Sequence, residues 1–336
     1  MDAVPAALGL STDEVAGLLA TAGRAPSLHN SQPWQFRVLP DVIELWADPA
    51  RRLAAADPTG REQRLACGAA LYNLRLGLHG HGIRPLVTLQ PDPRHPDLLA
   101  TIRYGGRKPP TPEQQSLLAA IPRRHTNRRP FSEEPVSSAE RGALRRAAIE
   151  EGAWLHFVDD HEQRDALAQL AAEAHTAQLA DPRYRAEAEH WTAVPSGRDD
   201  GIPYVPNEHR PAANERWVKR DFTGGRGRTT AEVGISFEQD PAIAVLSPHL
   251  FGASTEVGTG QAMQRVLLTA TVDGLSMSFL SHVIENEQAR DGLRRLVRSF
   301  HSPLVVLRIG RGSPVPATPR RAATDLLLPT VSDATT

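Results

Sequence analysis

Two segments carry side chains of the kind that bind an anionic, planar group. The first, Ala25-Pro26-Ser27-Leu28-His29-Asn30-Ser31-Gln32-Pro33-Trp34, is a proline-punctuated loop rich in hydroxyl and amide groups. Such groups hydrogen-bond the edge of a polar ring without adding charge. The second, Arg123-Arg124-His125-Thr126-Asn127-Arg128-Arg129, concentrates guanidinium groups, whose forked donors suit a phosphate. Each looks like one side of a single anionic cofactor site. Taken singly, any of these arginines is as readily a surface solubility residue; clustering beside Pro130-Phe131 makes the group a candidate.

The elements that must position these segments read as a faint duplication. Gly68-Ala69-Ala70-Leu71-Tyr72-Asn73-Leu74-Arg75-Leu76 leads to Gly82-Ile83, and Gly260-Gln261-Ala262-Met263-Gln264-Arg265-Val266-Leu267-Leu268 leads to Gly274-Leu275 at the same spacing. Both predict helices with an apolar stripe closed by glycine. Strand-like segments follow, Ala100 to Gly105 in one copy and Leu304 to Gly310 in the other, the second copy adding a helix around Glu287 to Ser299. Upstream, Ser11-Thr12-Asp13-Glu14 is a capping box opening a helix to about Ala22, before the Pro26 loop and a strand from Trp34 to Leu39. Ser137-Ser138-Ala139-Glu140 opens a matching helix to about Glu150, followed by a strand at Trp154 to Val158. Helix periodicity alone can mimic such matches. If the repeat is real, one of two possible sites keeps both the loop and the arginines, and the other keeps neither.

From about Ala180 to Val233 the second copy carries a stretch that starts helically and becomes Pro- and Gly-punctuated. It reads either as a covering lid, for which Trp191, Tyr204, Trp217 and Phe222 are anchors, or as a solvated excursion.

Composition limits the rest. The 336 residues suffice for two core-forming units, and 38 basic against 39 acidic side chains leave a net charge of -1, so nothing draws the whole molecule to nucleic acid or to an anionic membrane. The start has no basic leader and no apolar run reaches a membrane span, which predicts a cytoplasmic protein. Cys67 is the single cysteine and sits in an Ala/Gly-rich helix, so a buried, inert thiol is expected. His79 and His81 flank Gly80 in a helix-ending pattern, and no metal site is expected. Gly310-Arg311-Gly312-Ser313-Pro314 lacks the third glycine of a dinucleotide fingerprint, and no Gly-x-Ser-x-Gly elbow occurs.

Pro26-Ser27-x-x-Asn30-x-Gln32-Pro33-Trp34 resembles the flavin-contacting loop of the nitroreductase superfamily, and Arg124-His125-Thr126-Asn127-Arg128 resembles its Arg-x-Ser/Thr-x-Arg/Lys phosphate motif. The order of these motifs in two fused halves is similar to the Acg family of that superfamily, over essentially the whole chain. The resemblance implies an α+β nitroreductase-like fold whose fused similar halves form an internal pseudo-dimer. These halves are residues 1–120, with the ring-edge loop at 25–34, and residues 121–336, with the phosphate motif at 123–129 and a lid-like insertion at about 180–233. It further implies one FMN between them. Arg124, His125, Thr126 and Arg128 would hold the phosphate and pyrimidine edge, and Pro26, Ser27, Leu28, Asn30 and Gln32 would face the ring. Either Arg320 or Arg321 would make a second phosphate contact, and a backbone amide near Ser281 or His282 would meet flavin N5.

The implied activity is NAD(P)H-driven, two-electron, ping-pong reduction of a small nitroaromatic, quinone or conjugated acceptor. Hydride passes through N5, so no side chain needs to be catalytic. The alternative implied by the family is a protein that sequesters FMN beneath a lid with little turnover. The chain is expected to work as a monomeric pseudo-dimer, with further homodimerisation open.

Overall fold

The computed structural model describes residues 4–195, 197–206, 208, 210–234, 236–238, 240–249, 251–252 and 254–328. Ser11 caps α1 (Thr12–Ala22) reciprocally, its hydroxyl accepting from the Glu14 N–H while the Glu14 carboxylate accepts from the Ser11 N–H. Then β1 (Trp34–Leu39) and β2 (Val42–Ala47) form a hairpin across Pro40-Asp41. The long α2 (Arg61–Gly80), β3 (Ile83–Leu89), β4 (Leu98–Arg107) and α3 (Pro112–Ala120) complete the first half, with Thr111 and Gln114 forming a second capping box. The antiparallel sheet has the order β1-β2-β4-β3.

The second half repeats this plan with additions. It runs α4 (Ser138–Glu150), capped by Ser137 and Glu140, then β5 (Ala153–Phe157), α5 (His161–Ala180) and α6 (Pro182–Trp191). A short parallel pair follows, β6 (Thr192–Val194) and β7 (Ile202–Pro203), before the chain rejoins the plan at β8 (Ala242–Pro248) and α7 (Thr255–Val272). Last come β9 (Ser276–Phe279), α8 (His282–Glu285), α9 (Glu287–Leu296) and β10 (Val305–Gly310). Their sheet order is β5-β8-β10-β9, which in each half's own count is the same first-second-fourth-third arrangement.

The halves differ where the function must lie. What Pro40-Asp41 connects in the first half takes residues 158–241 in the second, so the added stretch starts upstream of the expected Ala180 and includes α5. Helices α5, α8 and α9 cover the outer face of the second sheet, where Leu167, Ala171, Leu293, Ile243 and Val306 form a core that also takes in Trp217.

Between the halves, α2 and α7 cross in direct backbone contact. A methyl group at Gly68 would overlap the Val257 carbonyl, and one at Gly260 would overlap the Leu65 carbonyl. These glycines hold equivalent positions in the sequence repeat, so each supplies the gap that the other half's helix needs. After β10 the chain returns to the first half: Leu327 bridges Phe36 in parallel, and the Leu328 N–H donates to the Phe36 carbonyl at 2.8 Å. The tail thereby draws Arg320 and Arg321 past the Pro26 loop. Cys67 is buried. No helix among the described residues is long and apolar enough to cross a membrane.

Candidate functional site

The loop after α1 is strained. His29, Asn30 and Gln32 have φ of 52°, 57° and 50°, a left-handed backbone that residues with a Cβ rarely adopt. Hydrogen bonds to other segments hold it there. The Gln32 N–H donates to Ser27 Oγ at 2.9 Å, and Asn30 Nδ2 donates to the carbonyls of Gly201 at 2.9 Å and Pro319 at 3.1 Å. Gln32 Nε2 donates to the Asp199 carbonyl at 2.8 Å, while its Oε1 accepts from the Arg321 N–H at 3.0 Å.

Both amides, expected to face a ring, are bonded to protein groups here. Gln32 lines neither part of the cleft, and Asn30 lines only the outer part. A strained turn needs partners on both the inserted segment and the tail, and amides, with donor and acceptor on one group, supply them. Pro26 and Ser27 do line the cleft throughout, with Leu28 at its inner part.

The arginine motif lies against β9. Thr126 bridges Met277, and the Asn127 N–H donates to the Met277 carbonyl at 2.8 Å. Arg124 is only 6% exposed, yet among the described residues its side chain donates only from Nη2 to the Arg24 carbonyl at 3.3 Å, and its Nε has no partner there. Arg320 donates to Asn30 Oδ1 at 2.8 Å and to the Pro319 carbonyl at 2.9 Å, again with Nε unpaired.

Burial lowers the Arg124 guanidinium to about 10, and burial with the neighbouring Arg124 and Arg24 lowers Arg320 to about 9. His125 is lowered by burial and then by Arg124, Arg320 and Arg24. No carboxylate contributes to any of the three shifts. Arg128 stacks over Phe222 at 4.3 Å and is lowered to about 10, by burial first and then by Arg220.

The remaining arginines are engaged elsewhere or exposed. Arg129 pairs with Glu208 at 2.9 Å, and Arg123 is exposed. Arg321 donates to the carbonyls of Gln32 and Asp325 and lines neither part of the cleft, so of the two tail arginines Arg320 is the one in the cleft.

The cleft has two connected parts that share Pro26, Ser27, Thr126, Arg128, Arg220 and Phe222. The outer part, with Arg124, His125 and Arg320, holds about 1730 Å³ of empty space, including space open to solvent. The inner part holds about 970 Å³ on the same basis and reaches Ser281 and His282. Among the described residues, neither the Ser281 nor the His282 backbone N–H donates to a protein acceptor.

The added stretch contributes to the wall of the inner part. Trp217, Val218, Lys219 and Phe222 line it, as does Arg220. It donates to Ser281 Oγ at 2.8 Å and Gln178 Oε1 at 3.0 Å and forms an ion pair with the buried Glu285. Burial alone would raise the Glu285 carboxyl, but Arg220 outweighs it and holds the carboxyl below its ordinary value. The surrounding histidines are neutral. Burial, then Arg220, pushes His29 down to about 3 and His282 well below its usual value.

Arg220, Glu285 and Glu62 were not singled out from the sequence. The only available signal was a cationic pair, Lys219-Arg220, set between the aromatic residues Trp217 and Phe222.

Unpaired buried polar atoms collect here. His29 Nε2, Glu62 Oε1, Trp217 Nε1 and His282 Nε2 belong to residues of the inner part, and Arg124 Nε and Arg320 Nε to residues of the outer part. A folded chain rarely leaves such atoms unmatched. Buried cations without carboxylates fit an anion, and the mixed apolar and hydrogen-bonding inner wall fits a planar ring. The residues present therefore suit a phosphate-bearing planar group. Among the described residues no cluster of His, Cys, Asp and Glu could hold a metal ion.

No family model matches the chain. A Mycobacterium tuberculosis H37Rv protein provisionally named NAD(P)H nitroreductase Rv3131 is 32% identical over 317 residues, covering 92% of this chain and 89% of its own. The protein provisionally named NAD(P)H nitroreductase acg from the same strain is 30% identical over 317 residues, covering 93% and 94%. Among solved structures, a nitroreductase with bound FMN from Desulfitobacterium hafniense DCB-2 is 15% identical with a TM-score of 0.39, covering 64% of this chain and 98% of that chain.

Proposed function

The chain belongs to the nitroreductase family that includes Acg, and on that premise we propose that it is an FMN-dependent oxidoreductase driven by NADH or NADPH. The observation that carries the cofactor assignment is the pair of cations Arg124 and Arg320, with His125 lowered beside them and no carboxylate contributing to their shifts. In this reading Arg124 and Arg320 donate to the phosphate, and Thr126 and Arg128 flank the group where the two parts of the cleft join. Pro26, Ser27 and Leu28 wall the inner part from the first half. A free backbone N–H at Ser281 or His282 orients the ring edge. When bound, FMN supplies two-electron hydride chemistry toward a small nitroaromatic, quinone or conjugated acceptor. The chain's own task is to bind, orient and exclude water.

The reading treats residues 1–120 and 121–336 as two halves of an internal pseudo-dimer working in the cytoplasm, with further pairing of chains open. FMN titration of flavin-free protein tests it. Saturable binding that is lost in the Arg124→Ala/Arg320→Ala variant supports the site, whereas tight binding retained in that variant removes it.

A second reading, storage of FMN under a closed lid, is favoured by one observation: Arg220 ties the inserted segment to Glu285 and Ser281 inside the cleft. Arg220→Ala separates the two readings. If the segment gates turnover, NADPH reduces the bound flavin faster in the variant; negligible reduction in both proteins supports storage.

A further inference from the structure

One carboxyl group on the wall of the inner cleft has a sealed oxygen with no hydrogen-bond partner among the described residues. Glu62 stands in the first turn of α2 and lines the inner part together with Leu28, Ala66 and Met263. The residue is intermediate in exposure, but its Oε1 is sealed from solvent and has no hydrogen-bond partner. Nearby charge does not favour ionisation. Asp57 and Glu285 face Glu62 with like charge, and of the cations in reach, Arg220 is committed to Glu285, leaving Arg61 as a weak counterweight and Arg290 more distant in effect. Burial, then Asp57 and Glu285, raises the Glu62 carboxyl well above its ordinary value. The shift favours the protonated acid, which puts an O–H group in an apolar wall.

Of the other titratable groups of this wall, Lys219 has its ammonium lowered by burial but donates through Nζ to the Glu215 carbonyl. His29 and His282 are held neutral by burial, and Arg220 is held charged by Glu285 against the effect of burial. Reduction of a quinone or nitro group by hydride transfer needs a proton as well, because hydride alone leaves an anion in a site from which water is largely displaced.

We propose that Glu62 donates this proton to the acceptor reduced in the inner cleft. The inference rests on the oxidoreductase reading above. As hydride adds to the acceptor, the Glu62 O–H bond breaks and a new O–H bond forms on the acceptor oxygen. The electron pair of the broken bond stays on Glu62 as a carboxylate, and solvent returns a proton before the next cycle. A quinone thus becomes a hydroquinone with charge conserved, the reduced flavin supplying the hydride.

Two readouts on the FMN-loaded protein test this. Infrared difference spectra at neutral pH should show the carbonyl band of a protonated carboxylic acid that disappears in Glu62→Gln and shifts when a quinone binds. Rapid mixing of the pre-reduced protein with benzoquinone, which takes up protons, or with ferricyanide, which takes electrons alone, should show the quinone-to-ferricyanide rate ratio falling about 100-fold in Glu62→Gln, the scale of a lost general acid. Absence of the band, or an unchanged ratio, overturns the role of Glu62 and leaves the flavin site standing. If the wild-type protein reduces neither acceptor, the oxidoreductase reading fails and the inference fails with it.

Discussion

Burying a guanidinium without a carboxylate costs free energy that is recovered only when an anion arrives. Arg124 and Arg320 are in that position, and Arg321, a neighbour in sequence, is not, because Asp48, Asp199 and Asp325 offset its burial. The residue-scale prediction follows from this contrast. Arg124→Ala or Arg320→Ala should each weaken FMN binding by about 1.5–3 kcal/mol, the worth of a hydrogen bond to a charged group. Arg321→Ala should act mainly on stability, by loosening the Pro26 loop. Fluorescence titration beside thermal unfolding separates the two; equal loss of affinity in all three variants would contradict the assignment.

At the scale of elements, the central crossing and the inserted segment carry the account. Gly68→Ala places a methyl group against the Val257 carbonyl, a backbone atom that cannot rotate away, so overpacking should cost about 1–3 kcal/mol in denaturant unfolding. Gly68→Ala and Gly260→Ala meet at one crossing, so their effects should not add. Much of this scaffold was readable from the chain. Capping boxes at Ser11 and Ser137 marked helix starts, and the spacing from Gly68 to Gly82 and from Gly260 to Gly274 marked the paired helices. Strand β8 was missed because it is buried at every position and so lacks the alternation that marks a half-exposed strand.

The arginine cluster and the Pro26 loop stand out in the sequence by residue type, and the structure brings both to one cleft. The choice between Arg320 and Arg321, the diversion of Gln32, and the entry of Arg220 depend on where the tail and the inserted segment lie. Local pattern does not encode these long-range placements. The added stretch also joins the outer core through Trp217, which is 2% exposed. Arg220→Ala should accordingly raise protease sensitivity within residues 210–230 while leaving the remaining fold intact, as limited proteolysis with mass mapping would show.

For the whole molecule, the buried ionisable groups set a pH signature. His29, lowered to about 3, and His175, lowered to about 4 by burial and Arg220, are neutral when folded and protonate near 6.5 when unfolded. Depressed folded values mean that the unfolded chain binds more protons, so their stabilisation is complete above about pH 6.5 and is lost as pH falls toward 3–4. Glu62 acts in the opposite sense: its raised value gives stability that is present at low pH and lost as pH rises through that value. Unfolding free energy should decline from about pH 6.5 downward, and His29→Asn should flatten that decline; an unchanged slope would show that His29 is not buried neutral.

The halves share one sheet topology, but only one meeting of them brings the Pro26 loop to the arginines. The most direct measurement is the FMN stoichiometry of reconstituted, flavin-free chain, read from flavin absorbance after removal of excess ligand and denaturation. The account predicts one FMN per chain and none in the Arg124→Ala/Arg320→Ala variant. Two FMN per chain, or full retention in that variant, would contradict it.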